Sequence, residues 1–516
     1  MLLKSWRPYF IIFVLGFLLF YQTLSFDITY LDDQALLLDN AVVLETEGIE
    51  GIFSSDAFFS GTNVYYRPIL NLSFWTEIKL GGPGFFVSHF FNILIHIITA
   101  CLVFLVFKKL KYKKGLSFLA SLIFLFHPAL TQAVAWIPGR NDSLLTLFVL
   151  TSFLMLLEFL EKGRLFEYLM HILFILLALL TKETAVFAFP VFLLYIIFLE
   201  RKKLFSFDNR LLYLAWIASF VVYFLIRSMA LAGGRALDMM NLWGSLIDNL
   251  SALVIACGKI FFPFNLKVLP NLIDSSLWYG VLAIGLIVVL LVITEKKNRK
   301  LVYFSLSWFI LFLLPSLLLQ DKSWGVNFHL EHRIYLPIIG VLLLIFQLKF
   351  FKDLKWGRRQ LIVAGLVLLF LIGLTFNHSR RFDNGLSFWR EAVRTSPSSA
   401  FAHKNLGVMY YFNDNSELAE QEYRQALILN REESMAHNNL GIIYKEKNQL
   451  VRAEEEFMEE LKVNPYYDKA LFNLAQLYVG QGHVVEARAL LIKTLESNPR
   501  HVGAYNNLLI LENKLR

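Results

Sequence analysis

The chain has 516 residues, 57% of them hydrophobic and 17% charged, with a mean hydropathy of +0.54. Soluble domains carry nearer a quarter charged residues, which excludes an ordinary water-soluble multidomain enzyme. The formal charge of +8 would suggest a nucleic-acid partner in a soluble protein, but residues 398–516 hold 13 Lys/Arg against 16 Asp/Glu, a net of −3, and the first 397 a net of +11. The excess base belongs to the apolar part, so no nucleic acid is expected and the chain is expected to be integral to a membrane.

Apolar runs of about 20 residues, the length that crosses a bilayer core, recur from Pro8 to Asn377. Eleven spans are expected, near 8–25, 86–107, 116–134, 143–160, 166–182, 184–200, 211–230, 277–294, 301–319, 334–350 and 360–377. The first follows Lys4 and Arg7 as a signal peptide would, but no small-residue cleavage site comes after it, so it reads as a retained span. Basic clusters at Lys4/Arg7, Lys108–Lys114, Lys162/Arg164, Arg201–Lys203, Lys296–Lys300 and Lys349–Arg359 mark a cytoplasmic side. Pro8–Tyr66 holds no Lys or Arg and carries eight acidic residues between Asp27 and Asp56, which places that loop and the carboxyl-terminal tail outside. Leu246–Phe262 is apolar but carries Asp248, Asn249 and Lys259, and counting it as a span would move Lys296–Lys300 outside. It is expected as an interfacial or re-entrant helix. The two cysteines, Cys101 and Cys257, lie in apolar stretches and offer neither a disulfide framework nor a metal site.

Past Arg381 the sequence repeats every 34 residues: Ala402, Ala436, Ala470 and Ala504, with Asn405, Asn439, Asn473 and Asn507, and Leu406, Leu440, Leu474 and Leu508. The step continues in Ala419, Ala453 and Ala487, in Tyr423, Phe457 and Leu491, and in Pro465 and Pro499. Small residues let paired helices approach and large ones fill the groove between neighbours, a pattern that resembles the tetratricopeptide (TPR) repeat. Gly385, Trp389, Ala392 and Pro397 continue the register backwards as half a repeat, and a last helix from His501 caps the array. Such arrays take up peptides in a concave groove.

Polar residues that membrane insertion does not explain fall on the expected outer side. The pair Asp32-Asp33 after the first span suits a general base or a metal ligand, the plain alternative being a solvated acidic turn. Tyr66-Arg67-Pro68 ends the same loop. His89, Asn92 and His96 share one helix face, expected to pack against another helix in preference to binding metal. His127-Pro128 leads through Trp136 to Ile137-Pro138-Gly139-Arg140-Asn141-Asp142, Thr181-Lys182-Glu183 makes a tight turn, and Glu331-His332-Arg333-Ile334-Tyr335-Leu336-Pro337 enters span ten. Cations, a carboxylate pair and aromatics on one surface fit the headgroup of a sugar carried on a lipid phosphate: Arg and Lys offset the phosphate, and one base, Asp32 or Asp33, takes the acceptor hydroxyl proton. An arginine-neutralised monophosphate does not require a metal ion, so no metal or cofactor is expected beyond the polyprenyl-phosphate sugar itself.

These motifs, in this order and with the 34-residue repeats behind them, resemble the transmembrane and TPR O-mannosyltransferases, polyprenyl-phosphate-sugar-dependent glycosyltransferases of the GT-C class. The resemblance covers nearly the whole chain. It implies an all-α fold, a GT-C type membrane bundle of about 11 spans over residues 1–380 followed by a TPR α-solenoid over 381–516. It also implies inverting transfer of mannose to Ser or Thr hydroxyls of exported proteins, with the acceptor protein or peptide held by the TPR groove. Carried over by position, the acid falls on Asp32 beside Asp33, and the phosphate contacts on Arg140, Arg333, Lys182 and Arg67, with His127, Glu183, His332 and Tyr335 in support. Three full repeats make a short array, which leaves the acceptor class open. A bacterial inner membrane with the site and repeats periplasmic is expected, the lumenal face of the endoplasmic reticulum being the alternative. The competing readings are a glycosyltransferase acting on lipid or polysaccharide and a non-catalytic membrane-anchored TPR scaffold. Charges gathered at one face and not at mid-span count against a transporter.

Overall fold

The computed structural model describes residues 5–59, 64–81, 85–231, 242–294, 298–318, 329–352 and 357–515. Lys4, Lys296, Lys297 and Lys355 of the basic clusters lie outside the described residues. Helices account for the regular structure, with no β-strand among the described residues, and the chain divides into two compact units, the second holding Trp389–Arg516.

In the first unit the helices are α1 (Arg7–Phe20), α2 (Asn40–Ser54), α3 (Pro68–Gly81), α4 (Phe85–Lys109), α5 (Lys114–Phe126), α6 (Gln132–Ala135), α7 (Arg140–Lys162), α8 (Leu165–Leu179), α9 (Ala188–Leu199), α10 (Phe207–Ala230), α11 (Leu242–Asp248), α12 (Leu250–Phe261), α13 (Trp278–Ile293), α14 (Arg299–Leu318), α15 (Ile338–Ile345), α16 (Lys349–Lys352) and α17 (Arg358–Ser379). Among the described residues seven helical stretches are long and apolar enough to cross a bilayer, and α5 with the short helices after it, bent by 55°, adds an eighth. The bend falls at His127-Pro128, where His127 is extended because the proline ring after it disfavours helical backbone. Gly163, at φ 65°, ends α7 in the left-handed conformation that costs glycine least. Leu214, Leu225, Val289 and Leu366 stand exposed on α10, α13 and α17. A soluble protein would not leave such faces bare, whereas lipid covers them at no cost. The chain is a multi-pass membrane protein.

Three of the expected spans, 166–182, 184–200 and 277–294, are apolar helices of only 10–17 residues, over Leu165–Leu179, Glu183–Leu199 and Trp278–Ile293, and two further stretches differ more from the sequence expectation. The span expected at 334–350 contains only α15, eight residues or about 12 Å long, preceded by a 3-10 turn over Glu331–Ile334. Ile338–Leu344 are all buried, so protein and not lipid surrounds this segment, and its apolarity serves packing. Conversely, Trp243–Phe261 has the length and apolarity of a span. The charge that argued against it, Lys259, is 6% exposed and pairs with fully buried Glu331 at 2.9 Å. A paired charge inside a bundle removes the part of the objection that Lys259 carried, while the placement of the Lys296–Lys300 cluster still argues for an interfacial or re-entrant helix.

α18 (Gly385–Thr395) runs across the start of the second unit, which then holds three helix pairs, α19 (Ala400–Phe412) with α20 (Ser416–Leu429), α21 (Ala436–Glu446) with α22 (Leu450–Val463), and α23 (Asp468–Gln481) with α24 (Val484–Ser497), and α25 (Val502–Leu515) follows. This is three repeats between two half-repeats. Ala419, Ala453 and Ala487 are fully buried beside Tyr423, Phe457 and Leu491. A Cβ on Gly441 would come within 2.7 Å of the Phe457 ring, so the helices of a pair touch where no side chain intervenes. The period also governs polar contacts: His403 Nδ1 lies 2.6 Å from Glu422 Oε2, and 34 residues on His437 Nδ1 lies 2.6 Å from Glu456 Oε2.

Candidate active site

Five separate segments of the first unit bring charged groups together: the stretch after α1, the loop before α3, the α6–α7 turn, the α8–α9 turn and the loop before α15. Local rules position each. Asp142 sits in the first turn of α7, where the helix amino terminus favours negative charge. Lys182 is extended, immediately before the 3-10 turn Glu183–Phe187.

The acidic pair separates. Asp33 is 1% exposed, and its Oδ2 accepts from Thr29 Oγ1 at 2.5 Å and from Trp136 Nε1 at 3.1 Å. Burial pushes the Asp33 pKa up, with Thr29 and Trp136 pulling it back. Asp32 is partly exposed and acts electrostatically on Arg333. Of the two, Asp32 is the more accessible carboxylate.

The cations are held by carboxylates. Lys182 Nζ donates to Asp142 Oδ2 at 2.7 Å and to Asn141 Oδ1 at 3.3 Å. Arg67 donates from Nε and Nη2 to Glu183 Oε2 at 3.3 and 3.1 Å, leaving Nη1 for a further acceptor, and lies 4.5 Å over the Tyr65 ring. Arg333 is partly exposed and is acted on by Asp142, Tyr65, Arg67 and Asp32 together. His332 Nε2 lies 3.4 Å from the same Asp142 oxygen that Lys182 binds, with its ring 5.3 Å from that of Trp136. Burial pushes the His332 pKa well down, and Lys182, Arg333 and Arg67 add to the effect, so this imidazole is neutral at pH 7. The group therefore offers three cations, Arg67, Lys182 and Arg333, with Asp32 in their field.

Arg140 is placed elsewhere. Its guanidinium is fully buried, pairs with Glu77, and donates to Asn92 Oδ1 at 2.6 Å, Ser73 Oγ at 3.2 Å and the Ser88 carbonyl at 2.7 Å, with Phe74 under it at 4.7 Å. All three nitrogens are engaged in tying α7 to α3 and α4, so the guanidinium has no edge left to offer a phosphate. Removing one partner of a buried pair strands the other, at about 3–5 kcal/mol. Glu77→Ala and Arg140→Ala should each lower the thermal unfolding temperature of the detergent-solubilised protein markedly, and the double variant should cost less than the two losses added together. His127 is also structural: its Nδ1 accepts from the Ala129 amide at 3.3 Å and its Nε2 lies 2.9 Å from the Ile260 carbonyl. Tyr335 is fully buried, its hydroxyl 2.6 Å from His96 Nδ1, inside the bundle. His96 and Asn92 are packing residues as expected, Asn92 also donating to the Val134 carbonyl at 3.1 Å.

Four residues outside the sequence-based site set matter here. Asp142 and Trp136 stand within a motif already singled out, but only geometry gives them roles. Glu77 and Glu331 are buried acids. Glu77 stands in α3 two residues before Lys79, and its burial is not visible in the sequence. Glu331 Oε1 accepts from the Lys267 amide at 2.8 Å and pairs with Lys259, and its Oε2 lies 3.2 Å from His378 Nε2, so it pins the loop that carries His332 and Arg333. Burial alone would raise its pKa, but Lys259 and His378 hold it down to about 2 against an ordinary 4.5. A lowered carboxylate pKa stabilises the fold above the unfolded-state value, and that stability is lost as pH falls through the folded-state value. Unfolding scans should therefore show stability falling between about pH 4.5 and 2, and Glu331→Gln should flatten this decline.

Residues 68–226 match the family model described as dolichyl-phosphate-mannose-protein mannosyltransferase. This stretch contains Arg140, Asp142, Lys182 and Glu183 and leaves out Asp32 and Arg333. A Protein O-mannosyl-transferase of Caenorhabditis elegans is 25% identical over 424 residues, 77% of this chain and 59% of that protein. The chain is similar to the protein O-mannosyltransferases. Human Protein O-mannosyl-transferase TMTC2 is 36% identical over 146 residues, 27% of this chain and 17% of its own, and human TMTC1 is 34% identical over 157 residues, 27% and 18%. The match thus spans little more than half of the worm O-mannosyltransferase and under a fifth of the human ones.

Proposed function

We propose that this chain transfers mannose from a polyprenyl-phosphate donor to Ser or Thr hydroxyls of exported proteins, at the outer face of a bacterial inner membrane. The observation that carries the reading is the gathering of Arg67, Lys182 and Arg333 from three segments, with partly exposed Asp32 acting on Arg333. In this reading Asp32 takes the proton of the acceptor hydroxyl as its oxygen attacks the anomeric carbon. The bond from that carbon to the phosphate oxygen breaks on the opposite side with inversion, and the phosphate leaves with the electron pair. Charge builds on the departing phosphate, which is where Arg333, Lys182 and the free edge of Arg67 stabilise the transition state. Asp142 and Glu183 hold Lys182 and Arg67 in place before the donor arrives, so little reorganisation is needed at the moment of reaction. The repeats bind the acceptor segment.

The test is a transfer assay on the reconstituted protein with labelled polyprenyl-phosphate mannose and a Ser/Thr-rich peptide beside a lipid acceptor. Label in the peptide, released by alkali, supports the reading. Label only in the organic phase would assign a lipid acceptor, and label in neither would leave the chain without this activity.

A further inference from the structure

The active-site reading leaves unused the other end of the bundle, where a cavity of about 450 Å³ opens between the α4–α5 turn, the end of α9, the start of α14 and the segment after α15. Along α7, 16 residues separate Asp142 at the candidate site from Glu158, which binds Lys109 of the α4–α5 turn. At 1.5 Å per residue the two ends are about 24 Å apart. The cavity has two kinds of wall. Leu116, Leu199, Leu301 and Phe346 give an apolar side, and Lys109, Lys111 and Lys113 give a cationic one, with Glu200 as its one carboxylate.

The lysines are not equivalent. Lys109 is committed to Glu158 at 2.5 Å and to Glu161, and so closes the turn onto α7. Lys111, held at φ 65°, and Lys113 are exposed at the mouth, and no carboxylate pairs with the Lys111 ammonium among the described residues. Tyr112 between them turns inward and donates to the Leu343 carbonyl at 2.7 Å while accepting from Gln347 Nε2 at 2.7 Å. That anchor fixes the backbone that carries the two lysines. An apolar pocket with cations at its rim, at the level where a bilayer core gives way to headgroups, matches an amphiphile with an anionic head.

We infer that this cavity binds one acidic phospholipid, its phosphate between Lys111 and Lys113 and its acyl chains against Leu116, Leu199 and Leu301. Two features set this apart from general attraction of a basic surface to acidic lipid: the pocket is concave, and the turn that carries its cations is anchored by the two Tyr112 hydrogen bonds.

The experiment is native mass spectrometry of the full chain taken from nanodiscs of mixed phosphatidylglycerol and phosphatidylcholine. The wild type should retain one phosphatidylglycerol in preference to phosphatidylcholine. A lysine at an acidic surface strengthens binding roughly 5-fold, so the K111Q/K113Q double variant should lose about 25-fold in retention. Leu199→Trp, which fills the cavity and leaves every charge in place, should lose it as well, while the R358Q/R359Q pair, exposed cations outside the cavity, should retain it. Inorganic phosphate at millimolar concentration should fail to displace the lipid; displacement would show that the phosphate alone is recognised and would overturn a lipid site. Equal loss in R358Q/R359Q, or full retention in Leu199→Trp, would reduce the effect to surface charge and also overturn the inference.

Discussion

Asp32→Asn should lower the transfer rate by about 10²–10⁴-fold, the range that removal of a general base produces, with the KM for donor nearly unchanged. The base acts only as the acceptor proton is lost, so its removal costs transition-state binding and spares ground-state binding. Asp33→Asn should behave differently. Asp33 is buried against Thr29 and Trp136, and an amide in its place still accepts one of those bonds, so the variant should lose chiefly stability and keep most of its rate per folded molecule. Initial rates normalised to folded protein, measured on both variants side by side, separate the two roles. Comparable rate losses in both would remove the distinction between an accessible base and a buried support.

Arg333→Gln should cost about 10²–10³-fold in transfer rate, the usual loss when one fixed charge-stabilising group is taken from a developing anion. Arg67 bonds Glu183 and Lys182 bonds Asp142, and Arg333, partly exposed, joins them from the loop before α15, where Asp142 and Asp32 both act on it. Arg333→Lys should recover part of the loss, since charge is kept and the planar two-point contact to phosphate is not. Arg140→Gln, by contrast, should reduce the yield of folded protein through Glu77 and should not alter the rate of what folds. Kinetics on purified folded fractions, with KM and kcat resolved, check all three.

What the sequence disclosed depended on how far apart the interacting groups lie along it. The tail was legible almost to the residue, because its packing repeats every 34 positions and each small residue announces its large partner, as Ala453 does Phe457. The membrane part was legible as apolar lengths. Apolarity does not distinguish lipid from protein as the surrounding medium, which is why the run containing Ile338–Leu344 looked like a span and is a short buried helix. Lys259 misled in the opposite direction: its partner Glu331 is 72 positions away, and only the fold brings them together. At the site, motif and order picked out turns that the fold brings together, but two adjacent aspartates carry no sign of which one faces inward. Arg140 looked like a phosphate ligand because Glu77, which consumes it, sits in another helix. Asp142 went unselected beside it for the same reason, since its meaning comes from Lys182 and His332, 40 and 190 positions further on.

The central claim is that a lipid phosphate docks on the cluster of Arg67, Lys182 and Arg333 with Asp32 across the sugar from it. Electron cryomicroscopy of the protein in nanodiscs with a non-transferable polyprenyl-phosphate mannose analogue tests this most directly. The account predicts density for the phosphate within about 3 Å of Arg333 and Lys182, the sugar between it and the Asp32 carboxylate, and Arg140 still enclosed by Glu77 and Asn92. Phosphate density against Arg140, or away from all three cations, would contradict it.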